Sequence, residues 1–329
     1  MNRPYRAAVC TALTGPDSIQ IQDRALEPIA ENEVRIAVRA AGVNFPDLLM
    51  TYGKYQFRPD PPFIPGMEIA GEVIETGAGV AEVKTGDRVM AGAKGGCFAE
   101  QLVVPSSAVM LLPYALSFEE GSCWRSAAVT AWHALHDKAG LRAEEAVLIL
   151  GASGGVGMAA VKLAKHIGAT VVGTGSSPSK RDAILAAGAD HALDPAAEDL
   201  SDQVKALTGG RGVNVVFDPV GGALSIKATR AIAWGGRFLI VGFASGDIPS
   251  FPANHALIKG YSLIGLRAGE ASRRDSDLAR CTQASLRELA AIGAMRPHIS
   301  RTFKLENTAD ALQALEARTI VGRAVITMT

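Results

Sequence analysis

A glycine-rich segment near the middle of the chain has the residue types and spacing that hold phosphate groups. Residues 151–157 read GASGGVG, with an apolar run before them at 146–150 and a run of helical character after them at 158–167. Small side chains let the backbone approach a pyrophosphate closely, and the unpaired N–H groups of a helix N-terminus attract its negative charge. The segment therefore predicts a dinucleotide-binding turn, in which Ala152 replaces the usual first glycine. The predicted cofactor contacts are Ala152, Ser153, Gly154, Gly155, Val156 and Gly157.

The residues after the next apolar run indicate which dinucleotide binds. Residues 173–181 read GTGSSPSKR and contain no carboxylate. NAD sites usually place an acidic residue here, which accepts a hydrogen bond from the ribose 2′-hydroxyl. A hydroxyl at Ser176 and an ammonium at Lys180 suit a 2′-phosphate instead, with Arg181 as a further cation. We therefore predict NADPH as the cofactor, and we expect Ser177 or Ser179 to cap the following helix.

The glycine turn belongs to a series of short apolar runs that predict a parallel sheet. Buried parallel strands read as continuous apolar runs with helical segments between them. The predicted strands are 146–150, 170–174, 191–193, 213–217, 237–241 and 261–265. The predicted fold class is α/β, with a doubly wound parallel six-stranded sheet. The first third of the chain is instead predicted to be mostly β, because residues 34–40 alternate like a half-buried strand and Gly and Pro turns follow.

Composition excludes several classes of partner and site. The chain has 329 residues, 48% of them hydrophobic, and 33 basic residues balance 33 acidic ones. This length predicts two globular domains, and the neutral balance argues against nucleic acid or an anionic membrane as the partner. The N-terminus lacks the apolar core of a secretory signal and no apolar run reaches the roughly 18 residues of a membrane span, so we expect a cytoplasmic protein. The four cysteines form no C-x-x-C pair, which argues against a zinc or redox motif.

Several longer segments resemble one enzyme family in its own order along the chain. The chain resembles the zeta-crystallin-like quinone oxidoreductases of the medium-chain dehydrogenase/reductase superfamily. The resemblance implies a GroES-like, mostly β catalytic domain at residues 1–123 and 268–329, and a Rossmann NADPH-binding domain at residues 124–267. The matching segments are AAGVNFPDLLMTYGKY (40–55), PFIPGMEIAGEVIETGAGV (62–80), GDRVMA (86–91), VTAWHALHDKAGLRAEEAVLILGASGGVG (129–157), LTGGRGVNVVFDPVGG (207–222), WGGRFLIVGFASG (234–246) and VGRAVI (321–326).

The resemblance also bears on metals, because zinc enzymes of the same superfamily bind a catalytic ion. Asn44 stands where they have a ligand cysteine, Met67 replaces a ligand histidine, and residues 92–97 are too few for their four-cysteine lobe. We therefore expect no metal, and hydride transfer from NADPH to a quinone or related conjugated carbonyl compound. Two alternatives stay open: a reductase of enoyl thioesters, such as coenzyme A esters, or of other activated alkenes, and a non-catalytic NADPH-binding protein with a structural or regulatory role.

The resemblance places the substrate in a cleft between the domains and assigns residues to it. Asn44 is expected to donate an amide hydrogen bond to the substrate carbonyl, although an Asx-type turn contact is the alternative. Tyr55 is expected to donate to the developing oxyanion. The remaining cofactor contacts that the family pattern implies are Thr130, Val241, Gly242, Phe243 and Arg323.

Two further features lead to expectations about partners. Arg125 lies where a Pro-containing segment is more usual, and it is expected either to meet an anionic substrate or to pair with Glu119 or Glu120. The last predicted strand, 261–265, would lie at a sheet edge whose unpaired N–H and C=O groups need covering. We therefore expect a homodimer that pairs through this strand.

Overall fold

The computed structural model describes residues 4–328, which form two compact units. Of the described residues, one unit comprises 4–126 and 296–328, and the other comprises Ala127–Met295. The change from the first unit to the second falls within one helix, Phe118–Trp132. The domain boundaries predicted from the sequence, after residues 123 and 267, stay predictions.

The described residues contain fifteen strands and ten α-helices. The strands are β1 (Tyr5–Cys10), β2 (Ile19–Arg24), β3 (Glu33–Val43), β4 (Glu68–Thr76), β5 (Arg88–Gly92), β6 (Gln101–Pro105), β7 (Val109–Leu111), β8 (Ala146–Ile149), β9 (Thr170–Thr174), β10 (His191–Leu193), β11 (Val213–Asp218), β12 (Ile232–Ile240), β13 (Ser262–Gly265), β14 (Ile299–Lys304) and β15 (Arg323–Thr327). The helices are α1 (Phe45–Thr51), α2 (Phe118–Trp132), α3 (Gly155–Ile167), α4 (Pro178–Ala186), α5 (Leu200–Leu207), α6 (Gly222–Thr229), α7 (Ala253–Lys259), α8 (Ala268–Arg274), α9 (Ser276–Ala291) and α10 (Thr308–Glu316).

The first unit is built on a seven-stranded sheet, as its mostly β texture predicted. The strand order is β14-β15-β3-β4-β5-β7, with β6 also paired to β3. The long strand β3 contains the predicted alternating run, and its apolar side chains, among them Val34, Ile36 and Val38, are buried in the core. Because β15 pairs with β3, the end of the chain is part of this unit's sheet. The first residues of β15 and of β4 can therefore contribute to the same buried site.

The second unit contains the predicted parallel six-stranded sheet, so the fold class is confirmed. Its order is β10-β9-β8-β11-β12-β13, and every neighbouring pair is parallel. All six predicted strands are present, and β12 begins at Ile232, earlier than predicted. The chain runs outward from β8 through β9 to β10 and then returns to β11 on the other side of β8. Ligands of doubly wound sheets bind at such a reversal, outside the carboxyl ends of the strands.

The lengths of the helices bear on whether any of them could cross a membrane. None of the helices within residues 4–328 combines the length and apolar character that crossing a bilayer requires.

Candidate active site

The glycine turn connects β8 to α3 at the point where the strand order reverses. Gly151 adopts a positive φ of 57°, and its N–H donates to Thr174 Oγ1 at 3.1 Å. The N–H of Ala152 donates to Thr174 O, also at 3.1 Å, so the end of β9 fixes the turn. Gly154 caps α3 without a side-chain hydrogen bond. The first N–H groups of a helix have no intrahelical partner, and this end of α3 therefore suits an anionic ligand.

Close packing explains the small residues of the turn. A Cβ atom on Gly157 would lie 2.4 Å from Gly151 O and 2.8 Å from the Cα of Ala152, so no side chain fits there. The Ala152 methyl, which replaces the usual first glycine, is fully buried. A Cβ atom on Gly173 would lie 2.9 Å from that methyl carbon. The glycine in the neighbouring strand thus makes room for the alanine in the turn.

Ser176 and Lys180, the two predicted phosphate contacts, lie together after β9. Lys180 Nζ is 3.5 Å from Ser176 Oγ. Ser177 caps α4, because its hydroxyl accepts a hydrogen bond from Lys180 N at 3.3 Å, and this confirms one of the two predicted caps. The cap holds the first turn of α4 in place, which brings the ammonium group next to the exposed Ser176 hydroxyl.

Arg181 is committed to partners in its own unit. Its guanidinium donates to Gly175 O at 2.9 Å and forms an ion pair with Asp194 at 3.2 Å. The neighbouring carboxylate offsets its charge, which makes Arg181 a weak candidate for binding a phosphate.

A buried carboxylate organises the carboxyl end of β11. Asp218 accepts hydrogen bonds from the N–H groups of Val220 at 2.8 Å and Gly221 at 3.0 Å, and from the Ser225 hydroxyl. Burial raises the pKa of Asp218 above its usual value, although these three donors oppose the increase. The carboxyl group therefore fixes the loop that follows β11.

The same residue connects to the predicted nicotinamide contacts after β12. Val241 N and Gly242 N both donate to the backbone carbonyl of Asp218, at 2.9 and 3.3 Å. The Phe243 side chain is 38% exposed, which leaves its ring available to a ligand. Thr130 lies near the end of α2 and is partly exposed. The cofactor contacts of these four residues stay predictions.

In the first unit, Glu68 is the centre of a buried hydrogen-bond cluster. Its carboxylate forms an ion pair with Arg323, and both side chains are less than a tenth exposed. Asn44 Nδ2 donates to Glu68 Oε1 at 3.0 Å, and Ser126 N donates to Oε2 at 2.9 Å. The sequence predicted separate roles for Asn44 and Arg323, and the structure shows both side chains bonded to Glu68. No role was predicted for the Glu68 carboxylate.

A second carboxyl group, Asp47, lies beside this cluster in the first turn of α1. Asp47 Oδ2 accepts from Asn44 N at 2.8 Å, which caps the helix, while Oδ1 has no hydrogen-bond partner among the described residues. Complete burial, with a smaller contribution from the Glu68 carboxylate, raises the pKa of Asp47 to about 7, while the Asn44 N–H and Arg323 oppose the change. The group is therefore a mixture of acid and carboxylate near neutral pH.

The donors around Glu68 do not fit a zinc ion. Zinc needs several deprotonated thiolate, imidazole or carboxylate ligands in a tetrahedral arrangement. Within residues 4–328, no group of three or more His, Cys, Asp or Glu side chains is arranged to hold a metal. Burial raises the pKa of the Cys123 thiol to about 12 and that of Cys97 well above its usual value, so neither is a thiolate at neutral pH.

Tyr55, the second predicted catalytic residue, lies in the loop after α1 and is partly buried. Its carbonyl accepts a hydrogen bond from Arg58 Nε at 3.1 Å. The nearby Tyr52 hydroxyl is committed elsewhere, because it donates to Glu316 Oε1 at 2.9 Å. The contact of Tyr55 with a substrate stays a prediction.

Sequence reasoning missed Asp218 and the central position of Glu68. Asp218 stands in the segment DPVGG, which is typical of an Asx turn, and this pattern could have predicted its bonds to the following N–H groups. Glu68 is an ionisable residue at the start of an apolar run, which indicates a buried charge with a partner. That partner, Arg323, is too distant along the chain for the sequence to identify.

Two family models match separate segments of the chain. Residues 30–114 match the alcohol dehydrogenase GroES-like domain, and residues 155–283 match a model described as zinc-binding dehydrogenase. The first match confirms the predicted GroES-like part. The zinc in the second description is not matched by the donors around Glu68.

Individual relatives cover nearly the whole chain. The chain is 38% identical to a quinone oxidoreductase-like protein 2 homolog of Nematostella vectensis, over 98% of this chain and 89% of the relative. A probable oxidoreductase from Mycobacterium abscessus superposes with a TM-score of 0.90 at 35% identity, covering 99% of this chain and all of that one. The Escherichia coli quinone oxidoreductase, solved in complex with NADPH, superposes with a TM-score of 0.88 at 26% identity, over 99% of this chain and 100% of that chain.

Proposed function

The chain belongs to the quinone oxidoreductase family of the medium-chain dehydrogenase/reductase superfamily, and we propose that it transfers hydride from NADPH to a quinone or a related conjugated carbonyl compound. The observation that carries the proposal is the pair of Ser176 and Lys180 after β9, 3.5 Å apart, in a segment without a carboxylate. A hydroxyl and an ammonium group recognise a phosphate, whereas a carboxylate there would repel it.

NADPH is the cofactor, and the second unit supplies the groups that fit it. When bound, NADPH supplies a hydride to the reaction. The N–H groups at the start of α3 suit the pyrophosphate, and Ser176 and Lys180 suit the 2′-phosphate. Val241, Gly242 and Phe243, with Thr130, are proposed to hold the nicotinamide end, since Asp218 fixes the backbone of the first two.

The acceptor is proposed to be electrophilic without help from a metal. The donors around Glu68 do not fit zinc, so polarisation of an alcohol by a bound Lewis acid has no ligand set here. A quinone accepts a hydride at its own electrophilic position and a proton from solvent or a side chain. The products are a hydroquinone and NADP⁺, and the two transferred electrons balance.

Asn44 and Tyr55 are proposed as the acceptor's hydrogen-bond donors. Asn44 Nδ2 gives one N–H to Glu68 at 3.0 Å, and its contact with Gly42 O is longer, 3.4 Å. The weaker contact is the one that an acceptor carbonyl would replace, while Glu68 keeps the amide in place. The Tyr55 hydroxyl would then stabilise negative charge as it develops on the oxygen.

A panel of acceptors tests the proposed function. We expect purified protein to oxidise NADPH in the presence of ortho- and para-quinones, and to use NADH much less well, as followed by absorbance at 340 nm. Crotonyl-CoA, tested in parallel, represents the enoyl-thioester alternative. Reduction of crotonyl-CoA with no reduction of any quinone would replace the proposal by that alternative. Inactivity with both acceptors, accompanied by a rise of the melting temperature with NADPH, would indicate a non-catalytic binding protein.

We also propose that the chain forms a homodimer through β13. This strand is the last in the second unit's sheet, so one of its edges has no neighbouring strand among residues 4–328. Large apolar side chains on β12, α7 and β13 are exposed: Trp234 by 80%, Leu257 by 82% and Leu263 by 41%. Pairing with the same strand of a second copy would satisfy the backbone groups and cover these side chains.

A charge on β13 is expected to separate the subunits. In a two-fold interface Leu263→Glu places two carboxylates close together and removes two apolar contacts. We expect light scattering after gel filtration to give a dimer mass for the wild type and a monomer mass for the variant. Leu185→Glu, which changes a leucine of similar exposure on α4, should remain dimeric. A monomeric wild type, or a Leu263→Glu variant that stays dimeric, would contradict the proposed dimer.

A further inference from the structure

Arg125 is a partly buried cation whose electrostatic partner, the Glu68 carboxylate, is already bonded to other groups. Among residues 4–328 it makes no hydrogen bond or ion pair. Every other arginine of the described chain that is not exposed is bonded to acceptors of the protein. Those arginines are Arg6, Arg35, Arg88, Arg181, Arg237 and Arg323. The difference indicates that the Arg125 guanidinium is arranged for something outside the chain.

The surroundings of Arg125 make room for its guanidinium. A Cβ atom on Gly92, the last residue of β5, would lie 2.7 Å from Arg125 Nη1, so the absence of a side chain there lets the guanidinium lie against the strand. Burial lowers the pKa of Arg125 from its usual value, and the Glu68 carboxylate partly opposes this. Arginine still keeps its proton in proteins, so a fixed positive charge occupies a partly dehydrated position.

Neither of the two carboxylates that the sequence offered as partners forms an ion pair with Arg125 in the described residues. Glu120 pairs with Arg296 at 3.2 Å and accepts from Ser117 N at 2.9 Å. No ion pair joins Arg125 to Glu119 in the described part of the chain. Glu68 already accepts from Arg323, from Asn44 Nδ2 and from the backbone of Ser126.

The charges of the buried cluster leave an excess of positive charge. Arg323 balances Glu68, and the Cys123 thiol is neutral at physiological pH. Asp47, with a pKa of about 7, carries only part of a negative charge near neutral pH. The Arg125 charge is therefore not fully compensated, and a desolvated, uncompensated charge is unfavourable in the folded protein. An anionic ligand would supply the compensation.

We propose that Arg125 binds a carboxylate or similar anionic group on the acceptor, so that the preferred acceptor is an acidic conjugated carbonyl compound. The planar guanidinium presents paired N–H donors that match a carboxylate in a bidentate arrangement. This inference rests on the proposed function, because it assumes that the protein reduces an acceptor. The assignment of an anion to Arg125 is tested separately by binding.

The binding test uses an aromatic acid and its neutral amide, which have nearly the same shape. With NADP⁺ present, we expect 2-naphthoate to bind the wild type about 10-fold or more tightly than 2-naphthamide, as measured by calorimetry. Arg125→Gln should abolish this preference, and Arg125→Lys should retain part of it. Arg24→Gln removes the same charge from an exposed position and should keep the full preference. Equal binding of acid and amide to the wild type, or a preference that survives in Arg125→Gln, would overturn the proposal.

A kinetic test separates recognition of the acceptor from other uses of the charge. For Arg125→Gln we expect kcat/KM with 1,2-naphthoquinone-4-sulfonate to fall about 10- to 100-fold, and kcat/KM with 1,2-naphthoquinone to change less than about threefold. An equal loss with both quinones would overturn the proposal, because it would mean that Arg125 polarises the carbonyl. A rise in the KM for NADPH without a change in quinone preference would assign Arg125 to a cofactor phosphate.

The binding and kinetic tests require a folded Arg125→Gln variant, and each can fail independently of the other. Arg125 has no hydrogen bond or ion pair in the described chain to lose, and burial of its charge outweighs the attraction to Glu68, so Arg125→Gln should fold and melt at or above the wild-type temperature. If the wild type reduces neither quinone, the proposed function fails, and the naphthoate measurement still decides whether Arg125 binds an anion.

Discussion

Lys180→Ala is expected to bind NADPH about 10- to 100-fold more weakly than the wild type, with NADH affinity changed less than about threefold. The Lys180 ammonium lies 3.5 Å from Ser176 Oγ, and the Ser177 cap fixes the first turn of the helix that carries it. In the proposed site a phosphate on the adenosine ribose would meet this ammonium, whereas the hydroxyl of NADH would offer it no charge. The loss should therefore be confined to the phosphorylated cofactor.

Calorimetric titration with each dinucleotide measures both affinities directly and does not depend on finding an acceptor. Ser176→Ala should reduce NADPH affinity less, by about 3- to 10-fold, since a neutral hydrogen bond to phosphate is lost and the ammonium remains. Lys205→Ala on α5, whose ammonium pairs with Asp202, is the matched control and should behave as the wild type. Equal losses for NADPH and NADH in Lys180→Ala would contradict a role in phosphate recognition.

Local patterns were sufficient to predict the second unit. Its strands are continuous apolar runs and its turns are marked by glycine, so β8, β9, β10, β11 and β13 lie where the sequence placed them. The early start of β12 was missed because Trp234 and the two glycines after it interrupt the apolar pattern. The Ser177 cap was predictable because a capping hydroxyl and the N–H group that donates to it are three residues apart.

The charged cluster of the first unit could be predicted only in part. Asn44 and Arg323 were identified through the family pattern, but their common attachment to Glu68 joins residues from the start, the middle and the end of this unit's chain. Such a contact depends on the pairing of β15 with β3, which a pattern within one segment does not encode. The same limit applies to Arg125, for which the sequence left open both an anionic substrate and a pair with Glu119 or Glu120.

The ionisation of Asp47 connects the stability of this unit to its charge balance. Its carboxyl is completely buried and caps α1 through Asn44 N, yet one oxygen has no partner in the described residues. Each negative charge formed here is repelled by Glu68 and partly stabilised by Arg323. The acid form therefore favours folding, and the carboxylate form reduces the excess of positive charge that Arg125 leaves in the cluster.

Asp47→Asn is expected to become more stable relative to the wild type as pH rises, by about 3 kcal/mol between pH 5 and pH 8. The folded-state pKa, about 7, lies above the unfolded value of 3.8, so the folded wild type binds more protons between these values. Its stability then falls with rising pH, and the loss levels off above the folded-state pKa. Asparagine keeps an oxygen for Asn44 N and has no charge to bury, so this loss disappears. Urea unfolding at several pH values measures the difference, and Asp60→Asn, at an exposed position, should show a constant one. A stability difference for Asp47→Asn that stayed constant or fell with pH would show that Asp47 is ionised throughout, and that its negative charge contributes fully to the charge balance beside Arg125.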